Sequence, residues 1–373
     1  MKLTIFGKHP IPQGGFNGVM SIFEAIEFSR LGYDVTLAIP FEDKNEHEEL
    51  LARNKIRDLN ELEKLGGYFD IKAVFPDGEN FDECDILVYQ SYFPKDHELF
   101  WDLCCTKSKL RTKNFPKFVT HPYAVQEDHI IGQFSQFHLV ACALEEDYDL
   151  LRSNAAFSAQ FKNSFAYVPR GASPELLHPG YKAGLPPTIG LDTPNNNDNA
   201  AVQHFIEPLN RLRSEIPELR VFTLGKEIEG ISSQKIPFGR FDRIYENFFN
   251  QIHTYLTINY EHSPQHLQAR VQKEMPSWSK KAIYEVQNIE AQMSGATIVG
   301  HRDNIISELY IPGETGFNFT AFDSPTEIYE TLKHLIDKRL ELAKQARAFA
   351  VERHNWSKCI RLWSNALQRR LTT

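Results

Sequence analysis

The residues able to do chemistry in this 373-residue chain are scattered, and none forms a known catalytic signature. Gly14, Gly15 and Gly18 stand between an apolar run and a helical pattern, spaced G-G-x-x-G. Glycines in such a loop let the backbone approach a ligand closely, or simply close a turn. The spacing is not G-x-G-x-x-G, so the dinucleotide fingerprint is absent. The phosphate loop G-x-x-x-x-G-K-[ST], the G-x-S-x-G nucleophile turn and the H-E-x-x-H zinc helix are absent too. His121 ends the run KFVTH, at the carboxyl end of an expected strand, where open parallel sheets hold ligands. A structural histidine and one that works beside a reacting group both fit this position. Lys107, Lys109, Arg111, Lys113 and Lys117 fall within eleven residues. They form either a solvated loop or a patch for an anionic acceptor, a membrane surface or nucleic acid. The cysteines, Cys84, Cys104, Cys105, Cys142 and Cys359, include no C-x-x-C pair, which fits reduced thiols in a cytosolic protein rather than a metal or disulfide framework.

The elements that must position these residues alternate. Leu3-Thr4-Ile5-Phe6 reads as a strand that stops at Gly7 and enters a Pro- and Gly-rich loop. Val19, Ile22, Phe23, Ile26 and Leu31 follow at helical spacing, with Gly32 as a C-terminal cap and Val35 to Ile39 as a second strand. Strand, loop, helix, strand in some forty residues is a βαβ unit and implies parallel pairing. The alternation continues. Strands are expected at 70–75, 85–90, 117–121, 138–144 and 165–169, and helices at 46–65, 97–105, 125–134 and from 145. Residues 169–187 are dense in Pro and Gly and read as an interdomain crossing. The pattern restarts with strands at 188–192, 219–225, 253–260 and 296–301. Helices fall after the Asn-rich run 195–199, at 243–251, at 277–295 and at 325–351, and an amphipathic helix closes the chain. The fold class is therefore α/β, as two doubly wound halves, and a cleft between such halves is where ligands bind.

Length and composition agree. At about 150 residues per domain the chain makes two domains, or at most three. Its 42% hydrophobic and 24% charged residues exclude a disordered chain or a collagen-like repeat. A net charge of −8 argues against a nucleic-acid-coating surface. No run approaches a membrane span, and the start MKLTIFGKHP is too short in apolar residues for a signal peptide.

The two ends of the chain resemble the retaining GT-B glycosyltransferases of the large group 1, or family 4, class. IFGKHPIPQGGFNGVMSIFEAIEFSRLGYDVTLAIP is similar to that family's first βαβ unit, with a double-Gly loop before the helix. Arg30-Leu31-Gly32-Tyr33-Asp34-Val35-Thr36 matches its R-x-G-(H/Y)-x-V-T run. YEVQNIEAQMSGATIVGHRDNIISELYIPGETGFNF resembles the donor-site segment through Glu290-Ala291, Gly295, Glu308-Leu309, Gly313 and Gly316-Phe317. YVPRGASPELLHP is similar to the interdomain segment, and Trp356-Ser357 to the aromatic-Ser pair before the last helix.

This resemblance implies a GT-B fold of two facing Rossmann-like domains with an interdomain cleft. Residues 1–172 would be the acceptor-side domain and 173–352 the donor-side domain, with 353–373 packing back on the first. It implies transfer of a sugar from a nucleotide-sugar donor to a hydroxyl acceptor (a glycan, a lipid-linked or another hydroxyl) with retention. Glu290 would hold the ribose. Lys280 and Lys281 sit in the first turn of its helix, where an anion such as pyrophosphate is favoured by the free amides, or else are solvated. His121 would stand near the transferred sugar, and Gly14 and Gly15 would let the backbone approach donor or acceptor. Arg170 replaces the family's usual Asn, as a hinge or a phosphate contact.

Two departures stand out. The family's second Glu, eight positions before Glu290, is Ala282, and its Arg and Lys after the first donor-domain strand are replaced by the cation-free run Asn195–Asn199. Asn195 and its neighbours, Lys226 and Arg240 are the groups left to meet phosphate. A retaining transferase needs no nucleophile, because the departing phosphate can take the acceptor's proton. No metal or cofactor and no nucleic acid is expected, and the protein is expected in the cytoplasm, with peripheral membrane contact possible. The alternatives are a degenerate GT-B binding or scaffold subunit, or an epimerase or phosphorylase on the same fold.

Overall fold

The structure is a computed structural model, and it describes residues 1–7, 16–40, 69–74, 84–90, 117–120, 138–153, 165–180, 182–192, 200–237, 241–257, 285–301, 307–319 and 323–372. The chain divides into two compact units, Met1–Arg170 with Trp356–Thr373, and Gly171–Asn355.

The first unit is built on seven parallel strands: β1 (Lys2–Gly7), β2 (Asp34–Pro40), β3 (Phe69–Val74), β4 (Ile86–Gln90), β5 (Lys117–Thr120), β6 (Leu139–Cys142) and β7 (Phe165–Tyr167). Their order is β3-β2-β1-β4-β5-β6-β7, so the sheet grows outward both ways from β1, the doubly wound arrangement. Leu3 pairs with both Val35 and Ile86. That central position explains an apolar run with no polar alternation, since both faces of β1 are covered.

Helix α1 (Phe16–Arg30) ends as its sequence requires. Gly32 takes φ +87°, its amide bonds Ser29 O and the Tyr33 amide bonds Phe28 O, while the Phe28 and Tyr33 rings meet edge to face. A short helix, α2 (Glu145–Ser153), follows β6.

The second unit carries β8 (Thr188–Asp192), β9 (Arg220–Leu224), β10 (Gln234–Ile236), β11 (Thr254–Thr257), β12 (Thr297–His301) and β13 (Gly316–Phe319) in the order β10-β9-β8-β11-β12-β13, all parallel. Its helices are α3 (Ala200–Glu215), the short α4 (Phe241–Ile244), α5 (Glu285–Met293), α6 (Pro325–Asp337) and α7 (Arg339–His354). One side of this sheet buries Ile189, Leu191, Leu256 and Val299 against Phe205, Leu209 and Leu212 of α3 and Leu332 and Ile336 of α6. Ser324 opens α6 with a capping box: its hydroxyl accepts from the Glu327 amide and Glu327 accepts from the Ser324 amide.

Two differences from the sequence reading concern elements. Residues 325–351 form two helices, not one, because the backbone leaves helical geometry at Lys338 (φ −96°, ψ 7°). β10 and β13 were not expected as strands. They are three- and four-residue edge strands, too short to show a period of two.

The last helix, α8 (Trp356–Leu371), belongs to the first unit and lies against α1. Trp356 stacks on Phe23 at 6.3 Å, Ser357 Oγ donates to Glu27 at 2.8 Å, and the Tyr33 and Ser364 hydroxyls are 2.8 Å apart.

Candidate functional site

The second unit contains a helix that should not be stable in its place on composition alone. In α5 every side chain from Val286 to Met293 is buried, yet Gln287, Asn288, Glu290 and Gln292 are polar. A polar side chain can stay out of water only if it is hydrogen-bonded. Most of these are. The Tyr255 hydroxyl donates to Gln287 at 3.2 Å, Thr257 Oγ1 donates to Asn288 at 2.6 Å, and Gln292 Nε2 donates to the Leu309 carbonyl. Strand β11 thus supplies both donors for the first turns of α5, through Tyr255 and Thr257.

Glu290 is only 1% exposed and differs from its neighbours. The Tyr245 hydroxyl donates to its Oε1, while Oε2 has no hydrogen-bond partner among the described residues. Tyr245 reaches it from a π-helical turn, Tyr245–Phe249, closed by the Asn250 amide on Tyr245 O and anchored by buried Phe248 and Phe249. Such turns concentrate at functional sites. Burial pushes the Glu290 carboxyl up to about 8, against the lowering effect of the Tyr245 bond. Burial and the facing Glu290 push the Tyr245 hydroxyl well above its ordinary range, so it remains the proton donor of the pair.

The far end of α5 is fixed by the Arg347 and Lys182 side chains. Gly295 (φ +82°) closes it, with the Gly295 amide on Gln292 O and the Ala296 amide on Ala291 O. A Cβ at Gly295 would lie 3.3 Å from Ala343 O, so both its conformation and its surroundings call for glycine. Arg347 donates to the carbonyls of Met293, Leu177 and Pro174, and buried Lys182 donates to Ser294 Oγ at 3.3 Å. Positive charge at a helix C-terminus is favourable. It also fastens residues 174–182 to the helix carrying Glu290. Burial, with Arg347 adding to it, lowers the Lys182 amine well below its ordinary range. His253, just before β11, accepts the Thr188 amide on Nδ1 and holds Lys182 O with Nε2. Burial lowers it to about 4, so it stays neutral.

A carboxylate with one oxygen fastened by a tyrosine and the other unpaired among the described residues is suited to accept hydrogen bonds from a ligand's hydroxyl groups. It also carries a cost that is measurable without a ligand. Between pH 4.5 and about 8 the folded chain holds a proton on Glu290 that the unfolded chain has lost, so this group's contribution to stability falls as pH rises through that window. Glu290→Gln keeps an acceptor for Tyr245 and removes the ionisation. Its stability advantage over the wild-type chain is expected to grow by a few kcal/mol between pH 5 and pH 8, read from urea midpoints. A difference that does not change with pH would contradict the buried acid.

Of the other sequence-predicted residues, Lys226 is exposed in the turn after β9, just past Gly225. Arg170 is 1% exposed at the end of the first unit's main segment, and its carbonyl accepts from Cys359 Sγ on α8 at 3.7 Å. Gly14, Gly15, His121, Asn195, Arg240, Lys280 and Lys281, with Ala282, lie outside the described residues, as do Lys107, Lys109, Arg111 and Lys113 of the basic run and the cysteines at 104 and 105; Lys117, the run's last cation, is the first residue of β5. Sequence reasoning missed Tyr245, Lys182 and Arg347. Only Tyr245 left a signal, as a polar ring in the otherwise apolar face of the 243–251 helix. Among the described residues no cluster of His, Cys, Asp or Glu could hold a metal, and no helix is long and apolar enough to cross a membrane.

Two doubly wound, all-parallel α/β units in one chain are the architecture of the GT-B glycosyltransferases, and that is the fold of this chain. No protein-family model and no curated protein matches the sequence. Among solved structures the chain is similar to a sucrose-phosphate synthase from Thermosynechococcus elongatus, at 12% identity over 100% of this chain and 99% of that one, with a TM-score of 0.61. It is similar to a glycosyltransferase from Rickettsia africae, at 10% identity over 99% and 98%, with a TM-score of 0.65. It is also similar to Anabaena HepE, solved with UDP and glucose, at 11% identity over 99% and 100%, with a TM-score of 0.61. At these identities the likeness establishes the fold.

Proposed function

We propose that this protein is a glycosyltransferase that moves a sugar from a nucleoside-diphosphate donor to a hydroxyl acceptor, with retention of configuration and without a metal. The observation that carries the reading is Glu290: a buried carboxylate on α5, held by Tyr245 on one oxygen and with no hydrogen-bond partner among the described residues on the other. Its place before Ala291 and Gly295 is that of the family's ribose-binding Glu. The complexes of HepE with UDP and with UDP-glucose support the same donor class. In this reading the two ribose hydroxyls donate to Glu290, and their hydrogen bonds favour the ionised carboxylate. Donor affinity then rises with pH through about 8.

The chain's own contribution to the reaction is positioning. Tyr245 fixes the carboxylate, Arg347 and Lys182 fix the helix beneath it, and the ribose anchors the donor so that its anomeric carbon meets the acceptor hydroxyl. The diphosphate takes the acceptor's proton as it leaves, which is why no glycosidase-like carboxylate pair is required. Lys226, Arg240, Lys280 and Lys281 are the cations assigned to the diphosphate, and His121 to the transferred sugar.

Ala282 and the cation-free run Asn195–Asn199 favour a second reading, a GT-B protein that binds but does not transfer. A panel of sugar nucleotides separates the two. The transferase reading predicts that one donor, at about a hundredfold above its Kd, stabilises the chain by about 2.7 kcal/mol, with steady release of nucleoside diphosphate. Stabilisation without release supports the binding protein, and no stabilisation by any donor contradicts both.

A further inference from the structure

Tyr245 meets Glu290 from a backbone turn that ordinary helix geometry does not favour. In this π turn the Asn250 amide bonds Tyr245 O, five residues back, at 2.8 Å. A π turn holds one more residue than an α turn and is rare. Each residue of an α-helix adds about 100° of rotation, so relaxation to an α turn would swing the Tyr245 ring away from Glu290. Phe248 and Phe249 bury the turn, but apolar contact is non-directional. The directional constraint must come from hydrogen bonds.

The half-buried side chain of Asn250 supplies two of them. Its Oδ1 accepts the His178 amide at 3.0 Å, and its Nδ2 donates to the Leu176 carbonyl at 2.8 Å. A side-chain amide offers an acceptor and a donor together, and here both grip the backbone of one segment. Gln251, by contrast, turns its amide back on Glu246 O of the same turn, at 3.1 Å. The gripped segment is fastened in turn to the helix of Glu290. Arg347 donates to the carbonyls of Pro174, Leu177 and Met293, and the Lys182 amine donates to Ser294 Oγ. Pro179 lies against Gly295, where a Cβ would stand 3.4 Å from the Pro179 Cβ. Met293, Ser294 and Gly295 end α5. Residues 174–182 therefore run from the turn that carries Tyr245 to the helix that carries Glu290, and Asn250 is the side-chain link on the tyrosine side.

We propose that Asn250 is a positioning residue of the donor site, holding the π turn against residues 174–182 so that the Tyr245 hydroxyl stays on Glu290. Its part in donor binding rests on the ribose assignment of Glu290, while its hold on the Tyr245–Glu290 pair is measurable without a donor. Calorimetric titration with UDP, GDP and ADP, followed through the tightest of the three, tests the first. Asn250→Ala is expected to weaken binding about fivefold, the worth of one net hydrogen bond, with the far-ultraviolet spectrum unchanged. Asn250→Asp keeps an acceptor for His178 and loses the donor to Leu176, so it should fall between. In a Tyr245→Phe chain, Asn250→Ala should weaken binding no further, because it acts through that hydroxyl. Asn210→Ala loses a like bond, Nδ2 to Gly230 O at 2.9 Å, and should bind as wild type does. Carbon-13 NMR of the ligand-free chain tests the second, with the Glu290 signal identified by its loss in Glu290→Gln. Its carboxyl should titrate higher in Asn250→Ala than the wild-type value of about 8, since the Tyr245 bond that lowers it is loosened. Wild-type affinity in both Asn250 variants, an equal loss with and without the Tyr245 hydroxyl, or an unmoved Glu290 titration would overturn the proposal. Failure of the ribose assignment looks different: Glu290→Ala itself would then bind as tightly as wild type, and Asn250 would have no part in donor binding.

Discussion

Trp363→Ala is expected to remove about 3–5 kcal/mol of stability, a large part of the roughly 5–15 kcal/mol that holds a domain folded. Trp363 is completely buried in the first unit, on the inner face of α8 with Cys359, Ile360 and Leu367. This helix is the last in the chain but shares its unit with the first, through Phe23–Trp356 stacking and the Tyr33–Ser364 and Glu27–Ser357 hydrogen bonds. A cavity left by an indole in this layer loosens α8 from α1, and α1 covers the central strand of the sheet. The neighbouring Leu362 is 48% exposed, so Leu362→Ala should stay within about 0.5 kcal/mol of wild type. Urea midpoints of the two variants check the contrast; equal values would mean that α8 does not carry the packing assigned to it.

Gly190→Ala is the second large effect, and it links stability to the site. Gly190 is in β8, a central strand of the second unit, and has no unusual backbone angle. A Cβ there would stand 2.7 Å from Ile252 Cγ2 and 2.8 Å from Phe248 Cζ, both fully buried. No atoms pack that closely, so the neighbours must move, at a cost of about 1–3 kcal/mol. Phe248 belongs to the π-helical turn that carries Tyr245, and its ring meets Phe249 at 5.2 Å and Tyr255 at 6.3 Å. Tyr245 and Tyr255 are the hydroxyls that hold Glu290 and Gln287. Gly190→Ala is therefore expected to weaken donor binding as well as the fold. Gly184→Ala, whose Cβ meets nothing within 4 Å, should do neither. A Gly190→Ala chain as stable as wild type would contradict the packing.

All the strands but β10 and β13 were legible because buried parallel strands are continuous apolar runs bounded by Gly and Pro. TIGLD and LTIF each fall within their observed strands. Gly32 announced the end of α1, and Gly295 the end of α5, since only glycine takes the left-handed cap at little cost. Glycine inside TIGLD was also a signal, because it marks close approach of a neighbour to a strand. Its neighbours, Ile252 and Phe248, lie some sixty residues away and no local pattern names them. The site was half legible for the same reason. Glu290 stood out by its place before Ala291 and Gly295, but the same helix position fits a solvated surface glutamate. What holds it and its helix neighbours lies far off in the chain: Tyr245 bonds Glu290, Tyr255 bonds Gln287 and Thr257 bonds Asn288, across 31 to 45 residues. Lys182 and Arg347 left no sign at all, since a buried cation and an exposed one look alike in a polar stretch.

The central claim is that Glu290 is the group that holds the donor's ribose. It is tested most directly by the dissociation constant of UDP, or of whichever nucleoside diphosphate stabilises the chain most, for wild type and Glu290→Ala. Two charge-assisted hydrogen bonds are worth about 1.5–3 kcal/mol each, so the variant is expected to bind at least about tenfold more weakly while its circular dichroism spectrum is unchanged. Equal dissociation constants for the two folded chains would contradict the account.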